Sequence, residues 1–204
     1  MAKISTYPSD SNLNADDLLI GTDSEDSNAT KNYSIGSIEA YVKSNLNLGV
    51  TQVMTASEFS NQTPSGLNTP LQVEFGIEQG SGSDPVQLSS AGAITFNQAG
   101  LYLFNGYGNF ERQGSSGGVC IIAFRSLING AQVGQSKMVE IDKVGVAIPY
   151  EVTVPLNVSV GDVLTWEILR DSSGIDAGGL YTHNLLSSWS DVPSSSFTIW
   201  KVGI

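Results

Sequence analysis

Leu101-Tyr102-Leu103-Phe104-Asn105-Gly106-Tyr107-Gly108-Asn109-Phe110 reads as one extended strand. Successive side chains of a strand point to opposite faces. One face of this strand would carry Tyr102, Phe104 and Phe110, the other Leu101 and Leu103. A sandwich buries one side of each of its sheets. The second apolar set therefore needs a covering loop or another subunit.

The same period of two recurs on the C-terminal side. Tyr150, Val152, Val154 and Leu156 alternate with Glu151, Thr153 and Pro155. Leu164, Trp166 and Ile168 alternate with Thr165, Glu167 and Leu169, and Phe197, Ile199 and Lys201 alternate with Thr198, Trp200 and Val202. Turn clusters separate the runs: Gly80–Pro85, Gln113–Gly118, Asn129-Gly130, Asp171–Gly174 and Gly178-Gly179. Asn129-Gly130 is a hairpin signal, because a type I′ turn needs positive φ at both central positions. Pro149 and Pro155 lack an N–H, which places their strand at a sheet edge or bulges it. About eight to ten strands fit into residues 71–204, with no sustained helical period, and this predicts an antiparallel β-sandwich or barrel.

Upstream the pattern changes. Residues 51–70 are rich in Thr, Ser, Asn, Gln and Pro and read as a linker, with room for a turn of helix around Ala56–Phe59. Residues 1–50 form a separate segment. Leu18–Gly21 and Lys31–Ile35 read as two short strands around a polar turn. Ile35, Ile38, Val42 and Leu46 then fall at helical spacing, with Ser34 or Gly36 available as a cap. A single helix of about twelve residues is marginal alone, so its apolar stripe needs a partner surface.

Composition narrows the function. The net charge is −11 and charged residues make up only 14% of the 204-residue chain. Such an acidic surface repels phosphate backbones, so nucleic acid is not an expected partner. No signal-peptide core or membrane-spanning run is present, so membrane insertion is not expected. The lone Cys120 lies in the apolar run Val119–Phe124 and reads as an inert core thiol. The lone His183 cannot build a triad or a multi-histidine zinc site within one chain. The acidic turn at Asp23, Glu25, Asp26 and Asn28 lacks the glycine and distal glutamate of an EF-hand loop, so no metal or cofactor is expected. Glu140 with Asp142, or Glu151 with Glu167, are the carboxylate pairs that a glycoside hydrolase would need to bring together across a cleft. No phosphate-binding loop, dinucleotide fingerprint or nucleophile elbow occurs.

Two resemblances sharpen the expectation. Ile4-Ser5-Thr6-Tyr7-Pro8, Ile20-Gly21-Thr22-Asp23 and Thr30-Lys31-Asn32-Tyr33 resemble the N-terminal segment of tailed-bacteriophage virion proteins. The likeness implies an attachment arm, with Ile4, Tyr7, Pro8, Leu18, Ile20, Tyr33, Ile35, Ile38 and Val42 as its contact residues. Phe96–Phe104, the Val160-Gly161-Asp162-Val163 hairpin and the closing Ser196–Trp200 strand are similar to marks of the complement and tumour-necrosis-factor jelly rolls. That likeness implies a homotrimer, with Phe96, Tyr102, Phe104, Phe110, Trp166, Phe197 and Trp200 in the core or at the threefold interface. The resulting expectation is a mainly β protein. Residues 1–50 are an extended arm with short strands and one short helix, 51–70 a linker and 71–204 a jelly roll. It would be a non-enzymatic virion protein, a head-decorating fibre or cement protein contacting capsid or tail proteins. The alternatives are a tail-fibre tip that binds a host receptor or surface glycan, with Tyr107, Tyr181 or Trp189 stacking on sugar rings, and, third, a polysaccharide depolymerase.

Overall fold

The computed structural model describes residues 15–23, 29–46, 49–79, 85–114 and 117–203. The chain divides into two compact units, which meet at Gly49–Val50. Ile4, Tyr7 and Pro8 lie outside the described residues, as does most of the acidic turn after Asp23.

The first unit is a hairpin and a helix. Strands β1 (Leu18–Asp23) and β2 (Ala29–Ser34) pair antiparallel, Leu18 opposite Ser34, and helix α1 spans Ile35–Leu46. The Ser34 hydroxyl accepts the Ser37 backbone N–H at 3.0 Å, which makes Ser34 the helix N-cap. Ile35 and Gly36 donate their N–H groups to the carbonyls of Asp17 and Ala15, so the helix start is tied to the segment before β1.

The second unit is a two-sheet sandwich. Its strands are β3 (Val50–Glu58), β4 (Leu71–Gln72), β5 (Ile77–Gln79), β6 (Val86–Leu88), β7 (Ile94–Phe96), β8 (Gly100–Glu111), β9 (Cys120–Ile128), β10 (Ala131–Ile141), β11 (Ile148–Val158), β12 (Val163–Arg170), β13 (Gly179–Leu180) and β14 (Ser195–Val202). The front sheet runs β11-β8-β14-β3-β5, with β13 also on β8. The back sheet runs β10-β9-β12-β7-β6, with β4 also on β12. Described pairs are antiparallel throughout, apart from an isolated Leu67–Arg170 bridge. From β7 onward the chain passes to the opposite sheet at β8, β9, β11, β12 and β13, and β14 stays in the front sheet with β13. This is the strand order of a jelly roll.

One expectation fails here. Residues 51–58 belong to β3, which pairs along its length with β14 and also with β5; they are neither linker nor helical turn. Only Met54 and Ala56 of this strand are buried, with Val53 packed against the core. Its remaining Thr, Gln and Ser residues gave it the composition of a loop. Residues 59–70 are irregular but tied down. Buried Gln62 donates from Nε2 to Glu74 O, Ser194 Oγ and Ser195 Oγ, and its Oε1 accepts the Glu74 N–H. The sandwich therefore begins at Val50.

The inward residues read from sequence do form the core. Phe96, Tyr102, Phe104, Phe110 and Trp166 are fully buried, and Phe197 nearly so. Phe75 joins the two sheets, lying 6.0 Å from the Trp166 ring and 4.9 Å from Phe197. Gly106 and Gly108 make room for these rings: a Cβ at Gly106 would lie 2.7 Å from Phe104. Asn129 and Gly130 both have positive φ, 51° and 78°, as the hairpin required. Strand β11, with Pro149 and Pro155, is the free edge of the front sheet.

Candidate functional site

Three surfaces are built in a way that points to contacts: the outer face of the front sheet, the loops at one end of the sandwich, and the hairpin–helix unit.

The pairing register fixes the rows of the front sheet's outer face. Val50, Val202, Leu101 and Asn157 form the first row, and Gln52, Trp200, Leu103 and Pro155 the next. Then come Gln79, Thr55, Thr198, Asn105 and Thr153, followed by Ile77, Ser57, Ser196, Tyr107 and Glu151. Glu151, on the edge strand, is the sole charged residue in these four rows. Val50 is 60% exposed and Leu101 43% exposed, while Leu103, Trp200 and Val202 are half-buried. The polar groups bond along the sheet. Asn105 Nδ2 donates to Thr153 Oγ1 at 3.0 Å, and Thr55 Oγ1 donates to the Phe197 carbonyl at 2.8 Å. Burial, and then the Glu151 carboxylate, push the Tyr107 phenol above its ordinary pKa. Trp200 thus lies outside the core, on this face. The back sheet's outer face instead carries the Arg125–Glu167 ion pair at 2.8 Å, with Glu140 and exposed Met138 on β10.

The sandwich has two unlike ends. At one end the chain enters β3 and short turns join β7 to β8, β9 to β10 and β11 to β12. There Asn129 Nδ2 donates to Asp162 Oδ1 at 2.8 Å, and the Ser159 N–H donates to Asp162 Oδ2 at 2.8 Å. These bonds, the Ser159 N–H first, hold the Asp162 carboxyl below its ordinary pKa. At the far end run the longer segments 112–119, 142–147 and 171–194. Glu111, the last residue of β8, and Arg112, the residue after it, are buried and hold them. Arg112 donates to the carbonyls of Gly117, Gly118 and Asp142. Glu111 Oε2 lies 2.6 Å from His183 Nε2. His183 in turn shares a two-bond bridge with Val192, closing a loop that leaves Leu186 and Trp189 about three-quarters exposed at its tip. Tyr181 is buried and Tyr107 lies on the front face, so of the three aromatics considered for sugar stacking only Trp189 is freely exposed. The sequence reads His183 as an exposed or half-buried polar residue and gives no sign of Glu111 as its partner, since the two lie far apart along the chain.

The hairpin–helix unit leaves its apolar side chains outside. Leu18 is 61% exposed, Ile20 77% and Tyr41 68%, and Ile38 and Val42 are more than a third exposed. Tyr33 and Ile35 are half-buried.

The candidate carboxylate pairs are not brought into a cleft. Glu151 lies on the outer face of the front sheet and Glu167 on that of the back sheet, paired with Arg125. Glu140 is on exposed β10 and Asp142 in the following loop. Among the described residues no cluster of three His, Cys, Asp or Glu could hold a metal ion, and no helix is long and apolar enough to cross a membrane. Cys120 is buried, and its burial raises the thiol pKa.

No protein-family model matches the chain, and no curated protein matches it. Among solved structures the fold is similar to Eiger TNF from S. frugiperda, at 11% identity and a TM-score of 0.48, over 76% of this chain and 93% of that one. It is also similar to the globular domain of zebrafish complement 1qA protein, at 14% identity and a TM-score of 0.44, over 73% of this chain and 95% of that one. The jelly-roll assignment itself rests on the strand order described above.

Proposed function

We propose that this is a non-enzymatic structural protein of a bacteriophage virion, docked on the particle through residues 1–49 and presenting a homotrimeric jelly-roll knob. The observation that carries the reading is the exposure of Leu18, Ile20 and Tyr41 on a hairpin and helix too small to enclose them. Apolar side chains so placed gain by burial against a partner, at about 25 cal/mol per Å². The likeness of this segment to phage attachment arms supports capsid or tail proteins as that partner. The nearly uncharged outer face of the front sheet supports the homotrimer, since interface cores are depleted in charge. Within this reading a head-decorating fibre or cement protein is preferred, because the chain contains no repeat from which to build a long shaft.

A second reading, a tail-fibre tip that binds a host receptor or surface glycan, is favoured by one observation. The loop bearing Trp189 lies at the end of the sandwich opposite the start of β3. The depolymerase reading has no assembled acid pair to support it.

The test is particle assembly with a chain lacking residues 1–49. The truncated protein should be soluble and folded by circular dichroism, yet absent from purified particles. Normal incorporation would remove the arm from the account, and a map of the intact particle would place the protein on head or tail.

A further inference from the structure

One cavity in the sandwich shares only Thr153 and Pro155 with the front-face rows above. Strand β10 leaves its regular pairing with β9 between Val133 and Lys137. Gly134 takes a positive φ of 69° there, and Gln132 Nε2 donates to its carbonyl at 3.1 Å. Strands β10 and β11 are the edge strands of the two sheets on this side. The irregular stretch of β10 and the middle of β11 line a cavity of about 240 Å³, walled by Phe124, Val133, Val152, Val154, Pro155 and Trp166. That is below the roughly 300–1,000 Å³ of sites for drug-sized ligands, so the occupant is a fragment-sized molecule.

The lining also carries polar residues, Arg125, Ser126, Gln135, Lys137 and Thr153, and two of its donors, on Trp166 and Lys137, have no partner among the described residues. Trp166 is 1% exposed, and its indole N–H is buried without an acceptor. A buried donor left unpaired is costly, and tryptophan N–H groups usually find a partner when buried. Lys137 also lines the cavity and forms no ion pair with any described residue. The other cation there, Arg125, is already held by Glu167. On a chain of net charge −11, Lys137 puts a positive charge in the lining of this cavity, which favours an anion.

We propose that this cavity binds a small monocarboxylate with an apolar body. The apolar walls take the body, and the carboxylate answers the two unpaired donors. A neutral hydrocarbon would leave Trp166 unpaired, and a cation would meet Lys137.

The test uses the full chain and the indole N–H resonances of its three tryptophans. Exposed Trp189 and the front-face Trp200 serve as internal controls. Octanoate, octanol and octylammonium are titrated separately. Octanoate should move the Trp166 resonance saturably and leave the other two in place, while octylammonium should not. Lys137→Gln, a surface change, should weaken octanoate roughly tenfold, as expected for one lost charge-assisted contact, and leave octanol unchanged. Val154→Phe, which fills the cavity, should abolish the shift. A Trp166 resonance unmoved by octanoate, or moved equally by all three probes, overturns the proposal. So does a Trp166 shift that follows protein concentration without any probe, because a second copy of the chain would then be the occupant.

Discussion

The hairpin–helix arm and the sandwich spend similar apolar residues in opposite ways. In the sandwich, two sheets close on each other, and Phe75, Phe104, Trp166 and Phe197 touch ring to ring with almost no exposure. In the arm, Leu18, Ile20 and Tyr41 belong to one two-stranded sheet and one helix, and stay largely exposed. A two-stranded hairpin is marginal at best in water. The difference teaches that the sandwich's apolar residues hold the fold, whereas the arm's stay exposed, where the proposed partner would cover them.

The sharpest way to break this comparison is to remove one large side chain from each region. Phe104→Ala should cost about 3–5 kcal/mol of unfolding free energy, measured by urea denaturation. Ile20→Ala should change it by less than about 0.5 kcal/mol and instead reduce the amount of protein on purified particles. Equal destabilisation by the two would mean that the arm is part of the folding unit.

A second contrast lies within the sandwich, between its two outer faces. Leu101→Glu on the front face should weaken self-association by about 3 kcal/mol, because it buries an unpaired carboxylate at the proposed interface. Met138→Glu on the back face should leave sedimentation unchanged. If both dissociate the protein, or neither does, the front face is not the interface.

The ends of the sandwich give a smaller effect. Arg112→Met removes three carbonyl partners at the far end and should cost about 2 kcal/mol. It should also speed amide exchange in segments 112–119 and 142–147, while the Asn129–Asp162 end stays protected.

Much of this was readable in the residues, for physical reasons. Pro149 and Pro155 pointed to an edge or a bulge, Asn129-Gly130 to a tight hairpin and Ser34 or Gly36 to a helix cap; the strand is an edge, the hairpin is there and Ser34 is the cap. The alternation of Leu101–Phe110 separated core from outer face correctly, because period two is strict in a strand. Strand β3 was hidden because only two of its residues are buried. The two- and three-residue strands β4, β5, β6, β7 and β13 are too short to show any period. Glu111 and Arg112 were hidden because His183 and Asp142 lie in loops far along the chain and the nearer partners of Arg112 are backbone carbonyls of Gly117 and Gly118, which no residue pattern encodes.

The smallest effect concerns acid. The Asp162 carboxyl is held below its ordinary pKa of 3.8 by the Ser159 N–H and the Asn129 amide. Its contribution to stability is therefore complete above that value and is lost as pH falls through the lower folded value. Melting temperature should drop over this acid range, and Asp162→Asn should flatten that part of the profile. An unchanged profile would mean that the two turns do not depend on the carboxylate.

The comparison of arm and knob turns most directly on the assembly state of the sandwich without its arm. Native mass spectrometry of residues 50–204 at micromolar concentration should give a trimer, as should the full chain, because the front face alone is sufficient. A monomer for residues 50–204 beside a trimeric full chain would contradict the account and move the threefold contact into the arm.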